Sequence, residues 1–216
     1  MIQTKKSISV PLLKNLEETD LDTALESMGS RFDVNCVNWP GQFPYAPFCA
    51  GRIARTEDSL VVDFRVSGMD LRARNLEDNG SQWEDSCVEF FVEDPSGKCY
   101  YNFEINPLGK VLAASGASRE NRVIRPAEEM EEIVRLPYPA TAEEGEGGIH
   151  PWRVTVIIPF HLIGVDQDAL PASLKANFYK CGDLTAHPHF LSWSPVETPK
   201  PDFHRPEFFG NLLLND

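Results

Sequence analysis

Alternation of apolar and polar positions governs the middle of the chain. In SCVEFFVED, Val88, Phe90 and Val92 fall on one side of an extended strand and Cys87, Glu89 and Phe91 on the other. After the turn DPSGK, the run YYNFEIN repeats the pattern, with Tyr101, Phe103 and Ile105 alternating against Tyr100, Asn102, Glu104 and Asn106. Both predicted strands thus carry one face fit for a core and one that is partly polar. FCAGRIAR and LVVDFRV flank TEDS, which predicts a hairpin. PLGKVLAAS continues the sheet after a turn, and LKANFYKC, FLSWSP and FGNLLL supply further strands.

Helical signals are few. Thr19 or Asp20 caps LDTALESM, which Gly29 stops, and PFHLIG reads as one helical turn. AEEMEEIVRL supports a helix after Pro126 or a strand pairing with WRVTVIIPF across a glycine- and glutamate-rich loop; the expectation is the long-loop hairpin. With no crossover helices, two packed antiparallel sheets fit better than any βαβ arrangement. The predicted fold is all-β, a two-sheet antiparallel β-sandwich of the immunoglobulin-like or jelly-roll-like kind with short helical decorations. Neither a repeat nor a linker divides the chain, so residues 1–216 read as a single domain.

Composition narrows the partners. A chain of 216 residues should bury about 70% of its extended surface, enough for a full core. The formal charge of -13 argues against nucleic acid, which demands a concentrated basic footprint. The acidic cluster Glu128, Glu129, Glu131 and Glu132 reads as a solvated face. Apolar runs fall short of the roughly 20 residues that cross a bilayer, so a membrane span is not expected. MIQTKKSISVPLL lacks the continuous apolar stretch of a secretion signal; the chain as it stands is expected in the cytoplasm, or outside it if a leader was removed. Cys36, Cys49, Cys87, Cys99 and Cys181 have no CxxC spacing and read as small buried hydrophobes, which rules out a disulfide scaffold but leaves one bridge open.

Nucleotide and serine-nucleophile signatures are absent: the chain holds neither GxGxxG, nor GxxxxGK[ST], nor GxSxG. HPH places His187 and His189 on one side of an extended segment, six residues after Cys181, a weak zinc signal without a fourth ligand. Asp78, Glu84, Asp85 and Asp94 are loop carboxylates that permit calcium without an EF-hand spacing. Glu89 and Glu104 occupy the non-core parity of neighbouring strands, where they read as acceptors for sugar hydroxyls, as the paired carboxylates of a glycoside hydrolase, or as surface residues paired with Arg52 or Arg65. Trp83, in the charged context NGSQWEDS, and Phe203, in PKPDFHRP, are poorly explained as core. Held by stiff loops at one end of the sheets, they suggest two rings presented to a ligand. Trp193 reads as core or loop support, and Trp39 in NWPGQFPYAPF fits either role.

WEDSCVEFF and SWSP…FFGNLLL, with GKCYYNFEIN and WRVTVIIPF between them, resemble the family 9 carbohydrate-binding modules and family 9-like domains, which are related in fold to DOMON domains. The likeness runs from about Phe48 to the C-terminus, and residues 1–47 form a divergent N-terminal part carrying NWPGQFPYAPF in place of the family's I-D-G…W opening. It implies a β-sandwich holding a mono- or disaccharide, or a glycan chain end, between two aromatic rings, without catalysis. The tryptophan before D-S-V-E lands on Trp83, the ring before the final strand on Phe203, and the glutamate of V-E-x-F on Glu89. Phe203 stands where the family has tryptophan, and Glu104 where it has an arginine. Glu89, Asn102, Glu104 and Asn106 would then contact the sugar edge, with Asn177 or Tyr179 adding to them. The resemblance requires no cofactor and leaves room for a structural calcium. A hydrolase using Glu89 and Glu104, a haem module with Met69, Met130 or the histidines as ligands, and a protein-interaction sandwich are the competing readings.

Overall fold

The structure, a computed structural model, describes residues 5–14, 16, 20–139 and 145–214. In chain order its first strands are β1 (Ser7–Ser9), β2 (Ser30–Asp33), β3 (Cys36–Val37), β4 (Phe48–Arg55), β5 (Ser59–Leu71), β6 (Cys87–Glu93) and β7 (Tyr100–Ile105). They are followed by β8 (Val111–Gly116), β9 (Val123–Ile124), β10 (Val134–Tyr138), β11 (Gly145–Pro159), β12 (Ser173–Cys181), β13 (Phe190–Ser192) and β14 (Gly210–Leu213). One sheet runs β1-β14-β12-β6-β7-β8-β9, with β13 also paired to β12 and β3 to β13; the other runs β10-β11-β5-β4-β2. The fold is a two-sheet β-sandwich with short helical decorations. Its strands pair antiparallel except for β1 and β14, which run parallel.

Alternation along β6, β7 and β12 sends one set of side chains between the sheets. Val88, Phe90, Val92, Phe103 and Ile105 join Phe32, Phe64 and Trp152 in one buried cluster. Phe178 links the layers: its ring stacks on Phe32 of the other sheet at 3.9 Å and 6°, lies 5.3 Å from Phe90, and meets Trp193 edge-on at 5.4 Å. Trp193 is therefore core. Gly210, the glycine of FFGN, lets β14 approach this ring, since a Cβ there would lie 2.5 Å from Trp193 Cζ3 and 2.6 Å from the Lys6 carbonyl.

The first helix, α1 (Leu21–Met28), starts at Asp20, whose carboxylate accepts from the Thr23 N–H at 2.9 Å, and ends at Gly29. Its buried face, Ala24 and Leu25, packs on Ala54 and Val61 of the second sheet. Thr19, the alternative cap, lies outside the described residues. PFHLIG forms the expected turn, a 3-10 helix over Phe160–Ile163 closed by Gly164 at φ 68.

The segment Ala127–Leu136 corrects the hairpin expectation in part. Residues Ala127–Glu132 form a helix, α2, with Met130 buried and acidic side chains in its first turn, where the helix dipole favours them. Only from Val134 does the chain extend, pairing β10 with β11 from Val134↔Ile157 to Tyr138↔Arg153. Each reading was right for half the segment. All five cysteines are free thiols.

Candidate functional site

The opposite faces of β6 and β7 point away from the second sheet, yet they too are covered. Glu89 and Glu104 are register partners, as are Phe91 and Asn102. Glu89 is 3% exposed and Glu104 5%, because three loops rise around them to form a cleft of about 520 Å³. Trp83 stands on one loop, Arg119 and Arg122 on the turn between β8 and β9, and Phe203 with His204 on the proline-rich segment before β14.

Trp83 is presented by a locked backbone. Buried Asp85 accepts from the N–H groups of Arg74 at 3.1 Å and Asn75 at 2.9 Å, from Asn106 Nδ2 at 3.0 Å, and from the Arg72 guanidinium. Trp83 O and Glu84 O accept from the N–H groups of Asp183 and Leu184, fastening this turn to the one after β12. The indole itself remains 37% exposed. A ring ordered without being buried is prepared to stack on a ligand.

Phe203 is held differently. Its ring lies flat on Tyr179, with centroids 4.1 Å apart at 13°, and the Tyr179 hydroxyl donates to its carbonyl at 3.2 Å. Trp39 and Phe190 support it from 6.1 and 6.2 Å, and Trp39 Nε1 donates to Thr198 O at 2.7 Å. Trp39 is thus a buttress for the second ring, the role its sequence context left open. The proline-rich loop and NWPGQFPYAPF form one aromatic cluster with Phe91, Tyr100 and Tyr179 on the sheet.

At the floor, Asn102 Nδ2 donates to Glu104 Oε1 at 2.9 Å, and the Cys181 thiol donates to Glu89 Oε1 at 3.0 Å. Glu104 Oε2 is buried without a hydrogen-bond partner. Burial, then the neighbouring Glu104, pushes the Glu89 carboxyl well above the ordinary range. Burial likewise pushes Glu104 up to about 7, and Asp183 up to about 6. His204, which shares a hydrogen bond of 2.9 Å with the Tyr100 hydroxyl, is held down to about 3 by burial and then by Arg122 and Arg119, so it is neutral.

The sequence reading missed the two arginines. Where Glu104 replaces an arginine of the family pattern, an arginine still enters the cleft from a different element. Arg122 donates to Asn102 Oδ1, to Tyr100 O at 3.1 Å and to Gly116 O at 3.0 Å, with its guanidinium 4.2 Å above the Tyr100 ring. Arg119 lies 3.6 Å from Asp202, joining the turn before β9 to the proline-rich loop. The only sequence signal was SRENR, a polar turn whose strand β9 is two residues long and was not predicted.

Of the predicted ligand contacts, Trp83, Glu89, Asn102, Glu104 and Phe203 meet in this cleft. Asn177 does not. Its side chain donates to Ser194 O at 3.0 Å and accepts from the N–H groups of Phe178 and Ser194, which ties β12 to the segment after β13. Asn106 holds a turn by accepting from Leu108 and Lys110, and Tyr179 supports Phe203. Arg52 and Arg65, weighed as partners for the glutamates, sit on the other sheet and pair with Glu26 and Asp63.

The residues weighed as metal ligands are dispersed. His187 lies 2.8 Å from Asp70 through Nδ1, while His189 Nε2 accepts from Lys180 Nζ at 2.7 Å. Asp78 accepts from Val111 N and pairs with Arg135, and Asp94 accepts from Lys98 N and Cys99 N. Asp85 is likewise surrounded by donors. The convergent group of metal-capable side chains among the described residues is instead Cys87, Glu89 and Cys181, all buried.

A β-sandwich that walls a polar floor with ordered aromatic rings on one sheet's outer face is a ligand-binding module. The profile of carbohydrate-binding family 9 matches residues 20–214, and the chain belongs to that family. Over 98% of this chain and 100% of the other, it is 34% identical, at a TM-score of 0.86, to a candidate carbohydrate-binding protein from Bacteroides uniformis. It also shares its fold with a family 9 module from Caldicellulosiruptor kristjanssonii. That module in complex with glucose gives 10% identity, a TM-score of 0.60 and coverage of 97% and 96%. Its complex with cellotriose gives 10% identity, a TM-score of 0.61 and coverage of 97% and 93%. No curated protein matches the chain in sequence. Among the described residues, no helix is long and apolar enough to cross a membrane.

Proposed function

We propose that the cleft binds a mono- or disaccharide, or the end of a glycan chain, without transforming it. One observation carries this reading: exposed Trp83 and supported Phe203 border the same cleft whose floor is buried Glu89, Asn102 and Glu104. Aromatic faces take the apolar C–H face of a sugar, while fixed acceptors and amides select its hydroxyl edge. Family membership supports the reading, as do the glucose and cellotriose complexes of the Caldicellulosiruptor module.

Binding fits the carboxylates better than hydrolysis does. A glycosidase sets its two carboxyl groups on opposite flanks of the scissile bond. Glu89 and Glu104 are cross-strand neighbours on one floor, so both meet a sugar from the same side. Calorimetric titration with glucose, cellobiose and related sugars tests the proposal. Saturable binding is expected, weakened at least about tenfold in Trp83→Ala, a loss of ~1.4 kcal/mol. Flat titrations of folded protein across the panel, or turnover of aryl glycosides, would overturn it.

A further inference from the structure

We propose that the floor of the cleft selects a cationic sugar, an amino sugar with a free ammonium group, over its neutral counterpart; this rests on the cleft being a sugar site. Two carboxyl groups are buried side by side here, and among the described residues neither has a cation within ion-pair reach. Burying one carboxylate without a counter-charge is costly, and two adjacent ones cost more.

The cations nearby are already engaged. Arg119 faces Asp202, and Arg122 spends its guanidinium on backbone carbonyls and on Asn102 Oδ1. Lys180 donates to Cys181 O and His189. Asp183 adds a further acidic group to the lining. The acidic groups of the cleft are therefore concentrated at Glu89 and Glu104, which burial favours in the protonated form until a counter-charge arrives, and Glu104 Oε2 still lacks a hydrogen-bond partner.

A sugar hydroxyl would give that oxygen a hydrogen bond but not the counter-charge that ionisation of these buried acids needs. An ammonium supplies up to three donors and the opposite charge together. The exposed Trp83 ring favours a cation as well. N-acetylation removes the charge and adds bulk, so the site should distinguish an amino sugar from its acetylated form.

Calorimetric titration of the whole chain with glucosamine, glucose and N-acetylglucosamine at pH 7 tests this on unaltered protein. Glucosamine is expected to bind at least about tenfold tighter than either neutral sugar. In Glu104→Gln, the ratio of glucosamine to glucose affinity should fall to within about threefold. Glucose or N-acetylglucosamine binding as tightly as glucosamine overturns the charge selection and leaves the sugar site standing. Absence of binding by all three overturns the sugar site and the selection with it.

Discussion

On the inner face of β6, β7 and β12, Val88, Phe90, Phe103 and Phe178 pack against the second sheet and leave no polar group to satisfy. One residue along the same strands, Glu89, Asn102 and Glu104 are almost as deeply buried, under loops in place of a sheet. Burial on the inner face removes apolar surface from water and is stabilising. On the outer face it desolvates two acids and leaves Glu104 Oε2 unpaired, which is destabilising. A protein that retains such a cost beside a cleft marks that cleft as its site. Exposure alone would not have separated the two faces; the chemistry of what is buried does.

The largest effect should come from the inner face. Phe178→Ala removes the ring that joins Phe32 to Phe90 and is expected to cost about 3–5 kcal/mol, measured by urea unfolding. A loss below about 1 kcal/mol would show that the inter-sheet stack does not dominate the core.

The outer face should respond to pH with a defined sign. Glu104 moves from the ordinary 4.5 up to about 7, so between those values the folded protein holds a proton that the unfolded chain has released. The stability tied to that proton is fully present below pH 4.5 and lost as pH rises through 7. The displacement corresponds to on the order of 3 kcal/mol. Glu104→Gln abolishes the titration, so its stability relative to wild type should climb by that order from about pH 5 to about pH 8. Urea midpoints across this range give the difference directly. A flat difference would mean that Glu104 titrates as it does in water.

Trp83→Ala should have the smallest effect on folding. The ring is partly exposed and its loop is held through Asp85, so the expected loss of stability is below about 1 kcal/mol. Its thermal midpoint should stay near that of wild type while sugar binding falls. A large fall in midpoint would instead assign the indole to packing.

Much of this was legible in the chain. Period-two alternation located β6 and β7 with their facing residues, because each strand's inner positions are uniformly apolar and its turns carry glycine, proline or aspartate. Trp83 and Phe203 stood out as large rings in charged, proline-rich contexts. Trp83 is exposed as that context suggests, whereas Phe203, expected outside the core, is 8% exposed and packed in the aromatic cluster, so its ring borders the cleft from a buried position. The same alternation implied a partly solvated outer face and missed its burial, since the loops that cover it come from elsewhere in the chain. Asn177 had the right parity for the cleft, but Ser194 claims its amide. Segment 127–136 was misread in part because a short acidic helix and a short strand there share one apolar pattern.

From its own residues, then, the chain determined the strand order of its central hairpin, the two faces of each strand, the starts and stops of its short helices and the two rings of the site. Those features depend on local sterics and on spacing along a strand, which the residues carry with them. Only the tertiary structure decided that Arg122 would reach over Tyr100, that Trp39 would support Phe203, and that Glu89 and Glu104 would be buried side by side with no ion-pair partner among the described residues. These depend on contacts between segments far apart in sequence, and no local pattern records which distant loop will close over a strand.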